Sequence, residues 1–137
     1  MQKFQSLGAI FKLPKKNSWF KSHCMVPTVF KFNNNKIRIF FGSRNKYNVS
    51  SVGFVDLYYK KGEFTTIKYS NKPVLKPGVL GAFDDNGVLP SCVIKKGKIF
   101  YLFYIGWKPS VTTRYSLIAG LSKSKNLNKS FFHYFLD

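Results

Sequence analysis

Apolar and polar residues follow one another in short runs along this chain, and most runs end at turn-forming residues. Val26–Phe32 and Ile37–Gly42 flank Asn33, Asn34, Asn35 and Lys36, a pattern that predicts a hairpin. Val52–Tyr59 follows, and Lys60, Lys61 and Gly62 turn the chain into Glu63–Tyr69. A second group begins at Val88–Ile94, turns at Lys95, Lys96, Gly97 and Lys98, and continues through Ile99–Ile105, Ser116–Ser122 and Phe131–Phe135. A further strand is expected around Leu7–Leu13. No segment sustains a helical apolar period with caps over about ten residues, so the chain is read as all-β.

The two groups repeat one another. Pro27 matches Pro90, Lys36 matches Lys98 and Gly53 matches Gly120, a spacing of about 65 residues. Each unit offers four antiparallel strands, which predicts tandem propeller blades packed face to face around an axis. The expected organisation is a single partial domain over 1–137. It has an N-terminal segment at 1–24, blade-like units at 25–70 and 87–135, and a loop at 71–86 between them. Closed propellers use about four to eight blades, so two leave the ring incomplete. A truncated product is the expected explanation, with self-association through exposed blade faces as the alternative.

At 137 residues the chain is long enough for one domain with a buried core, and 18% aromatic content argues against disorder. No apolar run approaches the ~18–20 residues of a membrane span, and the N-terminus lacks the ~7–15-residue apolar stretch of a signal peptide. Two cysteines exclude a disulfide-dense scaffold. A cytoplasmic chain with Cys24 and Cys92 as buried free thiols is the expectation. The formal charge of +18 raises the question of nucleic acid. Against it, only Arg38, Arg44 and Arg114 are arginines, and the lysines are scattered beside turns, as at Lys15 and Lys16. Specific readers favour the planar arginine fork, so nucleic acid is expected to bind nonspecifically and in low salt. A basic nucleic-acid-binding β-protein stays as an alternative.

Several strings occur in an order that points further: Trp19 to Pro27, Gly53 to Leu57, Gly81 to Ser91, and Tyr104 to Trp107. Together they resemble the N-terminal part of glycosidase-like five-bladed β-propellers related to glycoside hydrolase families 32, 43 and 68, over roughly Trp19 to Phe132. The run from Phe83 to Ser91 is the most specific. The resemblance implies carbohydrate chemistry at a central channel, where glycoside cleavage uses a pair of carboxylates. In those hydrolases one carboxylate stands just before the first inner-strand proline, where this chain has Val26. A second follows the proline of blade two, where this chain has Ser91. The acid sits on a later blade. The resemblance therefore implies a parent that binds or processes a carbohydrate or glycoconjugate, with this chain by itself inactive. A non-catalytic sugar-binding or assembly module is the alternative.

The candidate residues each have two readings. Asp84 and Asp85, two of five carboxylates, precede the second inner strand and are candidates for catalysis or sugar binding. Asn86 joins them as a candidate sugar-binding residue of the channel, and with Gly87 the three also make strong turn chemistry. His23, four residues before Pro27, is a candidate acid/base or sugar ligand, or a structural loop histidine. Arg44 suits a carboxylate or phosphate of a substrate, or an internal pair with Asp84 or Asp85. Trp107 and Tyr104 suit stacking on a sugar or packing between blades. Asp56 reads as a strand-end residue and His133 as structural. No metal-ligand spacing, phosphate-cradling loop or dinucleotide fingerprint is present, so no metal or cofactor is expected.

Overall fold

Alternation within each run sorts side chains onto two sheet faces, and the computed structural model shows what covers each face. It describes residues 3–15 and 19–134. The strands are β1 (Ser22–Lys31), β2 (Lys36–Arg44), β3 (Ser50–Lys60), β4 (Glu63–Tyr69), β5 (Gly87–Lys96), β6 (Ile99–Pro109), β7 (Tyr115–Ser124) and β8 (Phe132–His133). Two antiparallel meanders, β1–β4 and β5–β8, make up one open eight-stranded sheet. A single parallel register pair, Ser50 with Gly87, joins them. No helix forms among the described residues, so none is long and apolar enough to cross a membrane.

The turns follow from local chemistry. Lys61 and Gly62 both take positive φ (50° and 88°), the backbone of a two-residue hairpin turn that suits right-twisted strands. The Asn33 side chain accepts from the amides of Asn35 and Lys36, which closes the β1–β2 turn.

β2 and β3 are covered on both faces. On one, Phe40, Val52 and Phe54 meet Val88, Val93, Leu102 and Tyr104 of the second meander, with Val74, Leu75, Leu127 and Phe131 filling between. On the other, Ile39, Phe41, Val55 and Leu57 are covered by Ile10, Phe11, Leu13 and Trp19. The strand expected around Leu7–Leu13 does not form. That stretch is irregular, because its apolar side chains lie against an existing sheet face and pair with no strand edge. The expected last strand narrows to Phe132–His133, and Phe135 and Lys16 lie outside the described residues.

Asp56 is no strand-end residue. It sits inside β3 opposite Arg38 of β2, and both are almost fully buried. Arg38 Nε and Nη2 donate to Asp56 Oδ1 and Oδ2 at 2.6 and 2.8 Å. Arg38 also donates to the carbonyl of Leu127 and to Asn128 Oδ1, and its guanidinium lies 3.5 Å from the centre of the Phe54 ring. The thiols differ from expectation as well. Cys24 and Cys92 are free but exposed, beside exposed His23 and Ser91, and partial desolvation pushes the Cys24 thiol above its ordinary value.

Removing one partner of a buried ion pair leaves the other charge uncompensated. Asp56→Ala is expected to lower stability by about 3–5 kcal/mol in urea denaturation, and the apolar pair Arg38→Met with Asp56→Leu to recover most of it.

Candidate functional site

At one end of the sheet the register lines up residues from six strands. Ser22 faces Arg44, Arg44 faces Ser50, Ser50 faces Gly87, Gly87 faces Trp107, and Trp107 faces Leu117. His23 and Asn86 are chain neighbours of this row. The backbone there is unusual. His23 and Val26 have φ of 67° and 52°, and the β1–β2 register shifts twice between Ser22 and Thr28. A β-branched residue at positive φ is a strained outlier, and strain of this kind clusters at functional sites.

Close approach holds the row together. A Cβ on Gly87 would lie 2.2 Å from Trp107 Nε1 and 2.8 Å from Ser50 Oγ, so glycine is what lets the indole reach β3. Trp107 Nε1 lies 3.4 Å from Ser50 Oγ, which itself donates to the Val88 carbonyl at 2.8 Å. The Arg44 guanidinium carbon stands 5.6 Å from the Trp107 ring centre, and Tyr115 meets the same indole edge-on. Arg44, Leu89, Trp107, Tyr115 and Leu117 line a cavity of about 180 Å³. Arg44 Nε is buried there and makes no hydrogen bond with any described residue. The expected pairing of Arg44 with Asp84 or Asp85 does not occur, because both carboxylates are committed elsewhere.

Asp84 is buried on the core side of β6. A Cβ on Gly78 would come 2.2 Å from its Oδ1, and one on Gly106 would come 2.4 Å from its Cβ, so two glycines make room for it. Tyr104 donates to Asp84 Oδ2 at 2.9 Å, and His133 Nδ1 lies 3.2 Å from that oxygen and 2.9 Å from the tyrosine oxygen. His133 Nε2 lies 3.1 Å from the Lys76 carbonyl. Asp85 turns back to accept from the Gly81 amide at 2.8 Å. The Asn86 amide donates to the Trp107 carbonyl at 3.3 Å. Tyr104 is a core residue, stacked beside Phe83. His23 lies exposed, its Nδ1 2.7 Å from Ser22 Oγ.

The structure thus gathers Arg44 and Trp107 at a cavity, with His23 and Asn86 adjoining their row. Asp84 and Asp85 instead anchor the loop that leads into β5. Ser50, Leu89 and Tyr115 were not singled out from the sequence. Ser50 has no motif, and only the parallel pairing with Gly87 brings it to Trp107. Two larger clefts, of about 610 and 630 Å³, border the 123–132 segment and are lined by none of the candidate residues. Among the described residues no group of three potential metal ligands occurs.

No family model matches the chain. An uncharacterized protein of Mycobacterium tuberculosis, found in strains H37Rv and CDC 1551, is 30% identical over 122 residues, which is 89% of this chain and 40% of that protein. The crystal structure of a glycosyl hydrolase from Bacteroides ovatus superposes with a TM-score of 0.58 at 16% identity, covering 84% of this chain and 32% of the hydrolase. The chain therefore spans about two fifths of the length of its curated relatives. Its likeness to the hydrolase is one of fold.

Burial, the hydrogen bond to Asp84 and that carboxylate's negative charge all push the Tyr104 hydroxyl above the ordinary tyrosine value. An unfolded tyrosine loses its proton near pH ~10 while Tyr104 in the folded chain keeps it, so stability falls as pH rises beyond that point. Urea denaturation across pH ~9–11 is expected to show this alkaline loss in the wild type and a smaller one in Tyr104→Phe.

Proposed function

We propose that this chain supplies two blades of a glycosidase-like β-propeller and binds a carbohydrate or glycoconjugate at the end of the sheet where Arg44 and Trp107 meet. The observation that carries the reading is the register row from Ser22 to Leu117, which ends both meanders on one cavity with an aromatic wall and a cation. Support for blades comes from the repeated four-stranded meanders, from β1 lying alongside β5, and from the fold likeness to part of a glycosyl hydrolase. Exposed Phe103 on β6 suits a further blade, or another subunit, packed against the second meander. The curated relatives, at more than twice this length, have room for such units.

In this reading Trp107 and Tyr115 give the sugar an apolar face to lie on, with polar tips at its rim. His23, Asn86 and Arg44 offer hydrogen bonds. Asp84 and Asp85 position the loop that presents Asn86, and the carboxylates of glycoside cleavage come from outside this chain.

Glycan-array binding tests the reading. Wild-type protein is expected to retain a defined subset of sugars, and Trp107→Ala to lose about tenfold or more in affinity for them. Equal retention by Trp107→Ala, with its fold intact by circular dichroism, overturns the assignment.

A further inference from the structure

Arg44 lies in an unusual electrostatic position. Of the five carboxylates, Asp56 is consumed by Arg38, Asp84 by Tyr104 and His133, and Asp85 by the Gly81 amide. Glu63 starts β4, opposite Lys60, and Asp137 lies outside the described residues. Among the described residues, then, no acid pairs with Arg44, while its Nε is withdrawn from solvent with no hydrogen bond. A buried donor left without a partner is costly, and a charged one more so. The guanidinium lies beside an indole, in a cavity whose other walls are Leu89, Tyr115 and Leu117. This is one fixed cation in an otherwise apolar and aromatic wall. The planar guanidinium offers in-plane donors that match two oxygens of one anion.

We infer that the sugar bound here is acidic, with its carboxylate or phosphate held by Arg44 and its ring against Trp107 and Tyr115. The inference rests on the carbohydrate reading and narrows it. At about 180 Å³ the cavity falls below the ~300 Å³ of a drug-sized pocket, which suits one charged residue at the end of a glycan. The overall charge of +18 draws anions toward every face of the protein, so it raises encounter rates without choosing this site. The choice is made by Arg44.

The test compares glucuronate, glucose 6-phosphate and glucose by the quenching of tryptophan fluorescence and by calorimetry, in physiological salt. Wild type is expected to prefer glucuronate or glucose 6-phosphate over glucose, and which of the two binds more tightly identifies the anion. Arg44→Met should lose about ten- to a hundredfold for the acidic sugar and little for glucose. Lys96→Met, at the far end of β5, removes the same unit of charge and should change affinity little. Equal losses in the two variants mean that global charge alone attracts the anion, and overturn the inference. Glucose binding as tightly as the acids, lost in Trp107→Ala but kept in Arg44→Met, overturns the inference and leaves the carbohydrate reading standing. No binding of any of the three, together with an empty glycan array, overturns both.

Discussion

An arginine and an aspartate stand opposite one another on strands that are buried on both faces. Moving either charge out of water costs several kcal/mol, and their attraction offsets this only when every donor finds an acceptor. β2 and β3 alone cannot supply that. Asp56 takes two donors of Arg38, and the others reach Leu127 and Asn128, beyond the last long strand. The end of the second meander must therefore fold back over the first. In doing so it brings Leu127 and Phe131 into the core beside Phe40. The buried charge pair and the apolar core thus meet the same returning segment, which carries Leu127, Asn128 and Phe131.

Strands and turns were legible from the sequence because they rest on local chemistry. Alternating apolar residues, Lys61 with Gly62, and the asparagine run each state their conformation within a few residues. What was not legible depends on partners distant in sequence. Asp56 looks like a polar residue ending an apolar run until Arg38 is placed across from it. His133 has no neighbour of interest along the chain, yet it meets Asp84 and Tyr104. The N-terminal apolar residues were misread for a related reason. Ile10, Phe11 and Leu13 are partly buried against a face of β2 and β3, and burial alone does not require strand pairing.

The candidate site divides along the same line. The sequence marked Asp84, Asp85 and Asn86 as a turn and as a site, and the fold uses both aspartates as fasteners of the loop before β5. Arg44 and Trp107, each of which the sequence leaves open to a structural or a binding role, are the pair that shares a cavity. The strained backbone at His23 and Val26 lies at the same end of the sheet. Of the signals gathered there, only the residue types were visible beforehand.

The two meanders touch through side chains and share one backbone register pair, Ser50 with Gly87. Their alignment is thus independent of any continuous ladder. Within the connection from 70 to 86, Val74 and Leu75 bond the Val52 backbone and fill the core, and Asp84 and Asp85 fasten its end, so tolerance to changes of length falls on its exposed stretch at Val79 and Leu80. A fold joined in this way grows by adding modules: each new meander needs an apolar face to lie against and one anchoring pair, and no existing strand has to be re-paired.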